Sequence, residues 1–144
     1  MSVAENVDAS RRWFEELWNK KNTAIIYELM SPSGVAIGQD MPGVEIRGPR
    51  AFEEFFNRLN GAFPDMKVRL EDIFGVDDKV VIRWSATMTH TGDTLGMPAT
   101  HRPVKVGGIS IAQFENGKLI RGWDNWDQLA MMQQLSESAA ASAG

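Results

Sequence analysis

No cysteine occurs among the 144 residues. A disulfide framework, a thiolate metal site and a cysteine nucleophile are therefore excluded. Histidine is scarce, with only His90 and His101. No ligands stand at helical i, i+4 spacing, so no metal is assigned. Basic blocks are missing as well. Fifteen Lys and Arg against 19 Asp and Glu give a net charge of −4, and without clustered positive charge nucleic acid is not an expected partner. No apolar run is long enough to span a bilayer. The polar, acidic start MSVAENVDASRR lacks the basic end and apolar centre of a secretory signal. The expectation is a cytoplasmic protein that does not bind membranes. Phosphate loops, the GxGxxG fingerprint, HExxH and the GxSxG elbow are all absent. Any catalysis is thus expected to be acid/base chemistry with no cofactor.

What is present reads as one domain over residues 1–135 and a flexible tail over 136–144. Apolar residues recur at helical spacing from Val3 to Lys20 and again from Asn22 to Met30, with Asn22 as cap and Ser31–Gly34 as the break. Short strands are expected at Val35–Gln39 and Val44–Arg47, then a third helix from Arg50 to Phe63. The second half changes period. Met66, Val68 and Leu70 alternate with charges, and Val80, Ile82, Trp84, Ala86, Met88 and His90 share one parity. Residues 91–102 form a loop. Val104–Phe114 and Leu119–Asp124 are strands joined at Asn116-Gly117, a strong hairpin signal. A last helix runs from Asp127 to Leu135. Helices first and an antiparallel meander afterwards give the α+β class.

The hairpin also predicts which way its side chains point. If Asn116 and Gly117 are the turn, Glu115 faces Lys118, Gln113 faces Ile120, Ile111 faces Gly122 and Ile109 faces Asp124. Facing residues project to the same side. Asp124 would then sit among isoleucines, where desolvation raises a carboxyl pKa towards neutrality. Such a group is either a catalytic acid/base or a buried structural carboxylate. Asp127, just before the last helix, reads as an N-cap. His90 shares the parity of Trp84 and Met88; it could polarise a carbonyl oxygen or merely close the strand end. A pocket for a flat apolar ligand would draw on Phe14, Tyr27, Phe55, Trp84 and Trp126, with the flexible methionines Met30, Met41, Met88 and Met97. From the hairpin it would take Ile109, Ile111 and Gln113. Arg83, Arg121 and Trp123 fall on the outer parity, where Trp123 is placed to meet a partner subunit.

The segments THTGDTLGMPAT, GISIAQFENGKLIRGWD and DQLAMMQQL, with IRGPRAFEEFFNRLNGAFPDMKV upstream, resemble the SnoaL-like polyketide cyclases, often called ester cyclases. These belong to the nuclear-transport-factor-two-like superfamily. The resemblance implies a cone-shaped α+β barrel, a curved antiparallel sheet wrapped around N-terminal helices, with a deep apolar pocket and usually a homodimer. It also implies intramolecular aldol ring closure without metal or cofactor, an aspartate on the last strand handling the proton. Asp124 matches that aspartate best, with Asp127 the other candidate, and His90 falls in the T-H-T-G segment. One departure is visible: GGISIAQ offers only Ser110 and Gln113 as polar groups to hold substrate carbonyls. The expected function is therefore a cofactor-independent cyclase-like enzyme, of lyase or isomerase type, acting on a small hydrophobic or aromatic molecule. The alternatives are a non-catalytic binder of such molecules and an epoxide hydrolase or isomerase on the same fold.

Overall fold

The computed structural model describes residues 2–136. Apart from Ser136, the tail expected to be flexible lies outside the described residues. Helix α1 (Val3–Arg12) opens on a reciprocal cap. The Ser2 hydroxyl accepts the Glu5 amide at 3.1 Å, and the Glu5 carboxylate accepts the Ser2 amide at 3.1 Å. The helix does not continue regularly to Lys20. Over Trp13–Asn19 it widens into a π-helix, and the Lys20 amide donates five residues back, to the Glu15 carbonyl, at 3.1 Å. The wider turn keeps Trp13, Phe14 and Trp18 together on the inner wall of the fold. Short α2 (Ala24–Leu29) buries Ile25, Ile26 and Leu29. Asn22 does accept the Ala24 amide, at 3.3 Å, although the capping position is Thr23.

Strand β1 (Met30–Ile37) runs through the Ser-Pro-Ser-Gly segment expected to be a break. Its pairing lapses between Met30 and Val35. A proline, which has no amide hydrogen to give a ladder, is tolerated in such a gap. Strand β2 (Glu45–Arg47) leads into α3 (Gly48–Ala62), with Pro49 in its first turn. Phe52, Phe55 and Phe56 of α3 pack around Trp18, with ring centroids 6.4, 6.5 and 5.0 Å away. Strands β3 (Lys67–Val76), β4 (Lys79–Thr89), β5 (Pro103–Glu115) and β6 (Lys118–Trp126) form the expected meander. Helix α4 (Gln128–Leu135) follows, and the Asp127 carboxylate caps it by accepting the Ala130 amide at 2.9 Å.

The six strands lie in the order β2-β1-β6-β5-β4-β3. The α+β class with helices on a curved sheet is as expected, but two details differ. Strand β1 runs parallel to β6, so the sheet is mixed, and the sheet ends at β2 and β3 without closing into a barrel. Asn116 and Gly117 both have positive φ, 51° and 78°, as a two-residue hairpin of type I′ requires. Beyond that turn, however, the expected register fails. Phe114 pairs with Leu119 but Gln113 pairs with Arg121, leaving Ile120 as the extra residue of a bulge. Every pair further from the turn is displaced by one. Asp124 therefore faces Ser110, not Ile109.

Gly38, just after β1, fixes the distance between the two parallel strands. Its φ is 82°, and a Cβ there would stand 2.4 Å from the Asp124 carbonyl oxygen. Both conditions demand glycine. Replacing Gly38 with alanine is expected to lower the unfolding free energy by about 2–4 kcal/mol, from the strained φ and the backbone clash together. Urea denaturation measures this; a loss under about 1 kcal/mol would show that the loop after β1 retreats freely.

Candidate active site

Inside the curved sheet lies a cavity. Its sheet wall carries Ile82, Trp84, Ala86 and Met88 from β4, Ser110 and Ala112 from β5, and Gly122, Asp124 and Trp126 from β6. Its helical wall carries Ser10, Trp13, Phe14 and Trp18 from the first helix, with Phe52 and Leu59 from α3. The lining is overwhelmingly apolar. Apart from indole N–H groups, its polar side chains among the described residues are Ser10, Gln39, Ser110 and Asp124.

Two of these are joined. The Trp84 indole N–H donates to the Ser110 hydroxyl oxygen at 3.0 Å, and that hydroxyl donates in turn to the Asp124 carboxylate through a very short bond. The Trp126 indole N–H is used elsewhere, donating to the Gln39 carbonyl at 2.9 Å. Burial among apolar walls pushes the Asp124 carboxyl up to about 6, and the Ser110 bond pulls it partly back. Asp124 is half-buried as a residue and lines the cavity. A carboxyl in this range is mostly ionised at neutral pH yet can carry a proton during a reaction.

Of the residues singled out from the sequence, Asp124, Phe14, Trp84, Met88 and Trp126 come together here, and Ile111 borders the cavity. The others do not. His90 ends the expected β4 row and is fully buried, but it is not part of the cavity wall. Its ring packs on Phe63 with centroids 5.3 Å apart, and Nδ1 accepts the Thr100 amide at 3.1 Å. Those contacts hold the 91–102 loop. Tyr27 is 51% exposed and donates to Glu53 at 2.8 Å, because α2 turns its aliphatic residues inward instead. Phe55 and Met30 are buried in the core behind the wall, and Met97 packs against that core from the loop. Ile109 is 51% exposed on the outer face, and Gln113 donates its amide to Asp78 at 2.9 Å. Both were expected inside on the register that the bulge at Ile120 overturns.

That bulge also hid the pairing of Asp124 with Ser110, which the sequence offers as a polar group but not as the partner of the acid. With the shifted register, Ser110 and Asp124 are direct partners and the outward row becomes Ile109 and Ile111, against Asn125 and Trp123. Ser10 and Gln39 carried no recognisable signal: one is a serine in a helix, the other a glutamine at a strand end. Arg83 and Arg121 do lie outside. The first pairs with Asp72 at 2.6 Å, and the second stacks over Trp123 at 5.8 Å. Among the described residues no arginine enters the cavity lining.

The family can now be stated. Residues 8–135 match the model of the SnoaL-like polyketide cyclases, and the chain belongs to that family. Among curated proteins it is similar to the aklanonic acid methyl ester cyclase DnrD of Streptomyces peucetius, 29% identical over 94% of this chain and 93% of the relative. The corresponding cyclase DauD of a Streptomyces species is also 29% identical, over 94% of this chain and 84% of the relative. Among solved structures, a SnoaL-like protein of Jannaschia sp. CCS1 superposes with a TM-score of 0.86 at 25% identity, covering 94% of both chains. IdmH of Streptomyces antibioticus superposes with a TM-score of 0.77 at 25% identity, over 90% of this chain and 97% of the other.

The carboxyl of Asp124 makes a stability prediction with a definite sign. Its folded pKa of about 6 lies above the ordinary value of 3.8. The folded state therefore holds the proton more tightly, and stability falls as pH rises from about 4 through 6. The total loss at neutral pH is about 3 kcal/mol. In Asp124→Asn the neutral amide escapes this loss and can still accept from Ser110. The stability difference between variant and wild type should move in the variant's favour by about 2.5 kcal/mol between pH 4 and pH 8. Urea melts at the two pH values measure it, and a pH-independent difference would contradict the raised pKa.

Proposed function

We propose that this protein closes a ring within a small, apolar carbonyl compound by an aldol-type reaction, using Asp124 as both base and acid and no metal or cofactor. The observation that carries the reading is a carboxylate with its pKa lifted to about 6 inside an apolar cavity. The Asp124 carboxylate removes a proton from the carbon next to a carbonyl. The resulting enolate carbon attacks a second carbonyl of the same molecule, forming the carbon–carbon bond and moving that carbonyl's π electrons onto its oxygen. The proton held by Asp124 then neutralises the alkoxide. Ser110 acts on the acid itself, keeping the carboxylate oriented and limiting how far its pKa rises. His90 has no part in this scheme, because it holds the loop and not the cavity. DnrD and DauD are cyclases by name, so aklanonic acid methyl ester is the first compound to try. The few polar groups in the lining favour something smaller and more apolar.

A second reading has its own support. Those same few polar groups offer little to activate a carbonyl, as a non-catalytic binder of hydrophobic molecules would be built. The epoxide-opening alternative has none, since its arginines lie outside. We further propose a homodimer through the outer face, where Ile109, Phe74 and Val76 are exposed; light scattering should give twice the chain mass.

Asp124→Asn is expected to cut turnover by about 10²–10⁴-fold while leaving ligand affinity within a few-fold. Turnover is followed by product chromatography, or as deuterium uptake next to the carbonyl. Weakened binding with no conversion by the wild type would favour the binder. With turnover present, the rate should rise with pH through a midpoint near 6. Ser110→Ala removes the group that lowers this pKa, so its midpoint should lie higher. An unchanged or lower midpoint would remove Ser110 from this role.

A further inference from the structure

We propose that Ser10 is a second polar contact for the ligand, a positioning residue on the helical wall of the cavity. The inference rests on the cavity being the ligand site. Ser10 is 3% exposed, lines the cavity, and its hydroxyl oxygen has no hydrogen-bond partner among the described residues. Buried hydroxyls are nearly always paired, because losing water without a replacement is costly. Inside a helix, a serine hydroxyl has an easy remedy in the carbonyl four residues back. Ser10 does not take it. Asn6 stands one turn earlier on the same face, is also 3% exposed, and leaves its side-chain oxygen unpartnered. Alanine at either position would serve the helix better. Two uncompensated oxygens lie on one face of α1, one of them on a residue that lines the cavity, and a polar group arriving from the cavity would satisfy that one.

The placement says what the ligand carries. Asp124 and Ser110 belong to the sheet wall, on β6 and β5, whereas Ser10 belongs to the helical wall. The same lining carries the large apolar rings of Trp13, Phe14, Trp18 and Trp84, and the Trp84 N–H is already used. A compound satisfying both walls is flat and apolar in its middle and carries oxygens on two separate edges. One is the carbonyl whose neighbouring proton meets Asp124. The other is a hydroxyl or carbonyl that meets Ser10, whose hydroxyl can either donate or accept. A ligand oxygenated only at the reacting end would leave Ser10 unpaired and would slide in the cavity.

The test uses the full chain and three probes: naphthalene, a naphthol, and a naphthalenediol with its hydroxyls on opposite rings. Affinities come from calorimetric titration. In the wild type the diol should bind about three- to tenfold more tightly than the naphthol, the usual net gain from one hydrogen bond. In Ser10→Ala that gain should vanish while naphthol affinity stays the same. The melting temperature of Ser10→Ala should equal or exceed that of the wild type, since an unpaired group has been removed. A diol gain that survives in Ser10→Ala overturns the proposal, and so does a lowered melting temperature, which would make Ser10 structural. If no probe binds the wild type, the cavity is not the ligand site and the proposal falls with it. Turnover lost in Asp124→Asn alongside a surviving diol gain would leave the catalytic reading standing and remove Ser10.

Discussion

A carboxylate held in an apolar interior is the constraint around which this fold is arranged. Asp124 is desolvated by the walls of the cavity and receives one hydrogen bond in return, from Ser110. That hydroxyl also accepts the Trp84 indole N–H, 3.0 Å away, which turns its own proton towards the acid. Trp84 in turn needs room on the neighbouring strand. A Cβ on Gly108, its β5 partner, would fall 2.6 Å from the indole and 2.7 Å from the Trp126 Cβ. One missing side chain thus admits two indoles, and one indole sets the direction of the proton that tunes the acid. The arrangement costs stability at neutral pH, as sites that keep a charge from water do.

Much of this was legible in the sequence, for reasons that can be separated. The row Val80, Ile82, Trp84, Ala86, Met88 is buried as its alternation says, because a half-buried strand leaves a period of two whatever the tertiary context. The Asn116-Gly117 turn and the Asp127 cap were equally plain, since each is a local demand met by local chemistry. The inward direction of Asp124 came out correctly, yet its neighbours did not. The bulge at Ile120 has no compositional mark, and it inverts the inner row of β5 from Ile109, Ile111 and Gln113 to Ser110, Ala112 and Phe114. A single unpaired residue was enough to hide the hydrogen-bond partner of the acid.

The remaining misreadings are of the same kind, where distant contacts overrule a local signal. Ser31–Gly34 reads as a break but lies in β1. Gly34 there comes so close to β6 that a Cβ would stand 2.8 Å from the Leu119 carbonyl oxygen. The irregular part of β1 and the bulge of β6 fall opposite each other, between the pairs Met30–Leu119 and Val35–Arg121. The π-helical turn over Trp13–Asn19 cannot be told from an α-helix by apolar spacing over so few residues. His90 has the right parity for the interior, but parity fixes only the side of the sheet. Its place at the end of β4 leaves it under the 91–102 loop, where its backbone amide donates to Arg102 at 3.1 Å.

The apolar cavity and the raised pKa are two views of one free energy, and this bears on which ligands the site can favour. A molecule that fills the space beside Asp124 keeps water away from the carboxylate, and so raises its pKa further. By linkage, an inert apolar guest binds the protonated form better than the ionised one and is penalised as pH rises. A guest with an acidic C–H next to the carboxylate escapes this penalty, because it supplies the proton that the buried acid prefers to hold. The charge then passes to the ligand, where it can spread over the enolate carbon and oxygen. The same desolvation that makes Asp124 costly to the empty protein therefore discriminates among guests by their chemistry as well as their shape. Under the proposed function, that preference is for molecules on which the carboxylate can act.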